Sequence, residues 1–189
     1  MIKIRKGTFE SNSSSMHTLV RVGSKDKVDV LTDKYNHQLD FPHVSEHSRV
    51  YKYDEDSNYC FGPSVLTRPL DKATYLISLF ANLSGAEEID EIEHYEEILA
   101  EVQKSYPDFR GWRKNEVKDE DWWHHPFGSV DHQSRDILDD IEFEDVLKTI
   151  NDPLCVYLII SDGYDLREDF DKYGILANGG EVVAPNWWG

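Results

Sequence analysis

The most constraining stretch of this sequence is Cys155-Val156-Tyr157-Leu158-Ile159-Ile160. Six apolar residues in a row are too few for a buried helix, and they alternate no polar side chain toward water. Such a run fits a buried strand. It closes on Ser161-Asp162-Gly163, a turn signal. The sequence also offers Asp71 to Leu83, where Tyr75, Leu76, Leu79, Phe80 and Leu83 recur at helical spacing and Gly85 supplies a stop. Glu87 to Tyr106 reads as one long helix with an apolar stripe of Ile89, Ile92, Tyr95, Ile98, Leu99 and Val102. Asp136 to Ile150 reads as another, through Ile137, Ile141, Val146, Leu147 and Ile150.

Further strands are expected at residues 2–5, 18–22, 28–31 and 50–53, and Ile175 to Val183 reads as a hairpin turning at Asn178-Gly179-Gly180. Residues 33–48 read as an exposed loop and 107–134 as a long connection rich in Trp, His and Gly. Trp187 and Trp188 are expected to pack back onto the body. The expectation is a single α+β domain over residues 1–189. Its sheet, mixed or antiparallel, takes strands from both chain ends and packs against central helices. At 189 residues the chain can bury a sizeable core.

Charge is the second constraint. The chain carries a net −17, unevenly spread. Residues 1–30 hold Lys3, Arg5, Lys6, Arg21, Lys25 and Lys27 against Glu10, Asp26 and Asp29, a balance of +3 that leaves −20 on the remainder. An acidic body repels nucleic acid at long range and attracts basic proteins. A basic end still holds a phosphate at short range, because charges are screened within roughly 8 Å at physiological salt. The acids Glu87, Glu88, Asp90, Glu91, Glu93, Glu96, Glu97 and Glu101 run along the long expected helix with no Lys or Arg before Lys104. They read either as a solvated face or as a phosphate-mimicking strip. No apolar run reaches membrane-span length, and the basic start lacks a signal peptide's apolar core, so the expected location is the cytoplasm. Cys60 and Cys155 are far apart and form no CxxC pair, which argues against a disulfide framework or a thiolate metal site.

The chemistry concentrates in Phe9-Glu10-Ser11-Asn12-Ser13-Ser14-Ser15-Met16-His17, in the connection between two expected strands or on the edge where the second begins. A polar turn accounts for such a stretch, since Ser and Asn bond their own backbone. A catalytic site accounts for it as well. Metal-free cleavage of a phosphodiester needs one group to take a proton, one to give it, and cations to offset charge on the phosphorane-like state. His17 and His132 suit the proton transfers and Arg5 and Lys6 the phosphate charge. Asn12, Ser13, Ser14 and Ser15 suit its oxygens, and Glu10 or Asp131 could orient an imidazole. For that role His17 should be polar and accessible. His124-His125 and the loop residues His37, His43 and His47 lack zinc-ligand spacing. Carboxylate magnesium sites have loose signatures, so the chemistry is left either metal-free or Mg2+-dependent. Arg5, Ser13-Ser14-Ser15 and Glu142-Phe143-Glu144 supply the residue types of an ADP-ribosyltransferase, although Arg5 and Ser13 are too close in sequence for that fold.

The motif also resembles the opening of a group of uncharacterised small proteins of phages and mobile elements in low-GC Gram-positive bacteria. Those proteins read Phe-Glu-Thr/Ser-Asn-Ser-Ser-Ser-x-His after a basic strand, and residues 5–22 match with Ser11 at the variable position. Asp131-His132-Gln133-Ser134 resembles a mid-chain element of the same group. The resemblance, with a suggested overlap with type II anti-CRISPR proteins that shorten guide RNA, implies an anti-defence protein acting in the host cell. Its expected partner is an RNA-guided CRISPR nuclease or its guide RNA. The leading expectation is an RNA-cleaving enzyme at the motif; the alternatives are a non-enzymatic acidic mimic that fills the nuclease's basic channel, an ADP-ribosyltransferase-like enzyme, and a phage accessory protein unconnected with defence.

Overall fold

The run 155–160 forms the strand its composition demands. A computed structural model describes residues 15–35, 64–114, 127, 137–138, 141–161 and 166–184. In chain order these form β1 (Ser15–Arg21), α1 (Lys25–Tyr35), β2 (Ser64–Leu66), α2 (Pro69–Ser84), a 3-10 turn (Ile89–Glu91), α3 (Tyr95–Gln103), α4 (Phe143–Thr149), β3 (Cys155–Ser161), α5 (Leu166–Tyr173) and β4 (Glu181–Ala184). β3 pairs antiparallel with β1 from Ser15↔Ser161 to Arg21↔Cys155, and with β2 from Ser64↔Ile159 to Leu66↔Tyr157. β4 joins the other side of β1 through a register shift between Leu19 and Val20. The sheet is therefore antiparallel with order β2-β3-β1-β4, and the fold is α+β.

The alternation of β3 explains its composition. Tyr157 and Ile159 join Leu19 and Leu66 in a cluster with α2, α3 and α4. Val156 and Leu158 join Val20, Val22 and Val65 in a second cluster with Val28 and Leu31 of α1 and Leu166 and Phe170 of α5. An antiparallel sheet usually keeps one wet face. Here both faces are covered from Cys155 to Ile159, so no position in that run alternates to polar.

Several elements depart from the sequence expectation. Val28 to Leu31 belongs to α1, where Val28 and Leu31 fall one turn apart on the buried side and the Thr32 hydroxyl donates to the Val28 carbonyl at 2.9 Å. α1 also takes in residues 33–35 of the expected loop. The long helix over 87–106 is broken. Glu91 bends back to accept the Glu87 and Glu88 N–H groups at 2.8 and 3.0 Å, which caps a 3-10 turn instead of continuing a helix. α3 starts only after His94, which adopts φ 60° and ψ 16°. In the 136–150 stretch, α4 begins at Phe143. The 175–183 hairpin is absent: Ile175 closes α5 through its N–H on the Phe170 carbonyl at 2.9 Å, and β4 pairs with β1. The expected turn at Asn178-Gly179 is present, with φ of 59° and 90°, but joins a helix to a strand. The strands expected at 2–5 and 50–53, most of the loop from 36 and of the 107–134 connection, and Trp187 and Trp188 lie outside the described residues.

α2 is the element that fixes the rest. Pro69 opens it, where a missing N–H costs nothing. Gly85 closes it in the left-handed region at φ 67°, as the sequence suggested. Between them the helix is buried on nearly every side from Lys72 to Ala81, polar residues included. The Lys72 ammonium, fully buried, donates to the carbonyls of Thr149, Asp152 and Cys155 at 2.7, 2.9 and 3.0 Å. Three donors thus meet three acceptors at the C-terminal end of α4, where the helix dipole is negative. Burial pushes Lys72 down to about 8, which leaves it charged at neutral pH.

That arrangement has a pH signature. The folded pKa of about 8 lies below the ordinary lysine value of 10.5, so between these values the unfolded chain holds more protons. Lys72's contribution to stability is constant below that window and rises with pH across it. Lys72→Met orphans three carbonyls and should lose on the order of 3 kcal/mol at neutral pH. The gap between wild type and variant, from urea denaturation, should widen toward pH 10.5. A gap independent of pH across that window would refute the assignment.

Candidate functional site

β1 carries the end of the Ser/His motif into the interior of the sheet. The strand begins at Ser15, opposite Ser161, so Ser15 to His17 are strand and not connection. His17 lies opposite Ile159 and is only 3% exposed. Its Nδ1 lies 2.8 Å from the Tyr75 hydroxyl, with the two rings edge-on at 5.5 Å. Tyr75 packs edge-on against Tyr157 at 5.8 Å, and the Tyr157 hydroxyl shares a 2.8 Å hydrogen bond with Thr149 Oγ1. Burial raises the Tyr157 phenol far above its ordinary range, so it stays protonated. His17 is thus held in a buried row of hydrogen-bonding aromatics, and the expectation of an accessible imidazole is corrected. The reason is topological, because β1 is an inner strand whose His17 side faces α2.

Of the residues singled out by sequence, Ser15 and His17 fall within the described residues. Glu10, Asp131 and His132, and Arg5, Lys6, Asn12, Ser13 and Ser14, lie outside them. Whether His17 and His132 meet therefore lies outside the described residues too. Among the described residues no group of three His, Cys, Asp or Glu side chains is placed to hold a metal. Burial pushes the Cys155 thiol up to about 11, which keeps it protonated and poorly nucleophilic at neutral pH. Glu142 of the Glu-x-Glu pair is exposed and sits just before α4. None of the described helices is long and apolar enough to cross a membrane.

The second candidate is the acidic segment, which the structure turns into a rigid ledge. Ile92, Ile98 and Val102 are buried in the same cluster as α2, and this orients the acids outward. Glu87, Glu88, Asp90, Glu91, Glu93, Glu96 and Glu97 are all exposed. Some of these carboxylates serve the fold. Glu91 accepts two backbone N–H bonds, which hold its pKa below the ordinary value. Glu88 binds Lys114 at 2.5 Å, which raises the lysine. Glu101, half-buried, pairs with Lys104 and accepts from the Asn151 amide, tying α3 to the α4–β3 connection. His94 sits in the middle of the ledge, stacked on Phe143 at 3.7 Å and 14° and edge-on to Phe80 at 5.2 Å.

Sequence reasoning missed Lys72, Tyr75 as the His17 partner, and His94. Lys72 had a usable signal, since positions 72, 75, 76 and 79 share one helical arc and a lysine there must be buried or break the pattern. The Tyr75 contact spans 58 residues and leaves no local trace. Comparison with protein-family models, with curated proteins and with solved structures finds no match in any of the three.

The burial of His17 changes what its substitution should do. His17→Ala removes a buried ring and a hydrogen bond, with an expected loss of about 2–4 kcal/mol. Tyr75→Phe removes only the hydroxyl and should cost about 1–2 kcal/mol. Urea midpoints of the two variants check this. Stability unchanged in both would return His17 to an accessible position.

Proposed function

We propose that this protein is a binding protein, one that docks on a cationic, nucleic-acid-handling surface of its partner through the acidic ledge of residues 87–97. The observation that carries the reading is the ledge itself. Seven exposed acids stand on a packed and capped segment. Among the described residues, Lys114 bridges to it at Glu88. A preordered row of carboxylates loses little entropy on binding and matches a basic channel in sign. In the phage or mobile-element setting that the sequence resemblance implies, the partner is the RNA-guided nuclease of a type II CRISPR system. Its guide-binding channel is positively charged.

A ribonuclease at the motif is the second reading. The burial of His17 against Tyr75 weighs against it, since a general base must reach the proton it takes from the substrate. In that reading His17 and His132 transfer protons, while Arg5, Lys6, Asn12, Ser13, Ser14 and Ser15 hold the phosphate.

One set of measurements separates the two. Reversing Glu93, Glu96 and Glu97 to Lys should weaken nuclease binding by about two orders of magnitude, at roughly 1 kcal/mol per charge contact. Wild-type binding should fall steeply with salt. Inhibition that survives the triple reversal would defeat the ledge reading. The guide RNA, incubated with sub-stoichiometric protein with and without magnesium, should stay full length on a denaturing gel. Shortened RNA would establish the nuclease instead.

A further inference from the structure

We propose that Asn178 is a self-modifying site: its side chain cyclises onto the Gly179 nitrogen, and the isoaspartyl product loosens strand β4. The described residues include three asparagines, Asn82, Asn151 and Asn178. The Asn82 amide donates to the Ser78 carbonyl at 2.6 Å, and the Asn151 amide to the Glu101 carbonyl at 2.8 Å. Asn178 is exposed, and its amide has no hydrogen-bond partner among the described residues. Of all the asparagines in the sequence, Asn178 alone precedes a glycine. That matters because the reaction joins Gly179 N to Asn178 Cγ, and a side chain at 179 would crowd the approach. The space around Gly179 is open, since a Cβ built there would meet no atom within 4 Å. Its N–H makes no backbone hydrogen bond among the described residues, so nothing there holds the proton or the peptide plane.

The step consumes only water. Solvent hydroxide takes the Gly179 N–H proton, and the nitrogen attacks Asn178 Cγ. A five-membered ring closes, the Cγ–Nδ2 bond breaks, and ammonia leaves after water returns a proton to it. Water then reopens the ring at either carbonyl. Attack at Cγ leaves a normal aspartate, whereas attack at the main-chain carbonyl of residue 178 leaves the peptide running through the side chain. Both products carry one new negative charge, and the second adds a methylene to the main chain. The flanks of the turn have no room for that extra atom. On one side, a Cβ on Gly23 would lie 1.8 Å from the Ala177 carbonyl oxygen. On the other, a Cβ on Gly180 would lie 3.0 Å from the Arg21 carbonyl oxygen. Backbone is thus seated on backbone at both ends of the turn. β4 starts directly after it, with Glu181 opposite Arg21. It is a four-residue edge strand, paired with β1 alone among the described residues. The added length therefore falls on β4, which has no second neighbour to hold its register.

The full chain, aged at mildly alkaline pH and then digested, is read by chromatography and mass spectrometry. The peptide holding Asn178 should gain about 1 Da and split into two peaks, while those holding Asn82 and Asn151 stay unchanged. Conversion of Asn82 or Asn151 ahead of Asn178 would overturn the assignment. So would an Asn178 that converts only in the urea-unfolded chain. Native-state hydrogen exchange reads the consequence. The amides of residues 181–184 should exchange about tenfold faster in the chromatographically separated isoaspartyl form than in fresh protein. Asn178→Asp adds the charge without the methylene and tolerates the left-handed backbone, so it should keep the rates of fresh protein. Equal exchange in the fresh and isoaspartyl forms, or equal acceleration in Asn178→Asp, would overturn the link to β4.

Discussion

The structure depends on polar side chains buried along one helix. α2 packs in the core cluster with apolar residues, but its position is set by four polar contacts, each to a different segment. Lys72 reaches the end of α4 and the start of β3, and the Thr74 hydroxyl receives the Trp112 indole N–H at 2.9 Å. Tyr75 meets His17 on β1, and Ser78 donates to the Phe127 carbonyl at 2.6 Å. Apolar contact is tolerant of small slides and rotations. A buried donor without its acceptor is not, because it keeps the full desolvation cost. Turning α2 by a fraction of a turn would break all four contacts together. The helix therefore has one orientation, and the α2 face of the sheet is assembled around it.

Lys72 is the strongest of these and the least local. Its carbonyls come from residues 149, 152 and 155, where α4 turns into β3. The same turn is held from the sheet side by Arg21, whose guanidinium meets Asp152 at 2.8 Å. β1, α2, α4 and β3 thus converge on one short connection. An uncompensated ammonium could not stay there. The match of three donors to three carbonyls makes it tolerable, and Tyr157, whose ring centre lies 5.9 Å from the nitrogen, adds the face of an aromatic.

What could be read in advance follows the range of the interactions involved. β3 was legible as an unbroken apolar run and α2 through its helical period, and Gly85 marked the stop through its own backbone freedom. The α+β class followed from strands expected at both chain ends with helices between them, while the sheet was left open as mixed or antiparallel. Val28 to Leu31 was misjudged because four residues show either period, and only the Lys25 to Tyr35 context separates them. The 87–106 helix was misjudged for a different reason. Its apolar stripe is real, and Ile92, Ile98 and Val102 are buried as the stripe requires. Periodicity, however, says nothing of a carboxylate that turns back on two backbone N–H groups, as Glu91 does. His17 was legible as a residue of note and illegible in its environment, since a buried and an exposed histidine look alike until the partner at position 75 is known.

The break at His94 bears on how a chain this acidic keeps a folded acidic face. Eight carboxylates on one unbroken helix would place like charges at i, i+3 and i+4 along its length, each such pair mildly destabilising. The observed arrangement divides them. Glu88 and Glu91 are drawn into a capping box whose backbone N–H groups and Lys114 offset their charge. Glu96 and Glu97 fall in the first turn of α3, where the helix dipole favours anions. Glu101, far from that end, is matched by Lys104 and Asn151. His94 stands at the division, and its stacking on Phe143 helps offset the cost of its left-handed backbone. The acids that take no part in these contacts are left free of the fold's own needs, and this is the condition for a charged surface to serve a partner without undermining the protein that displays it.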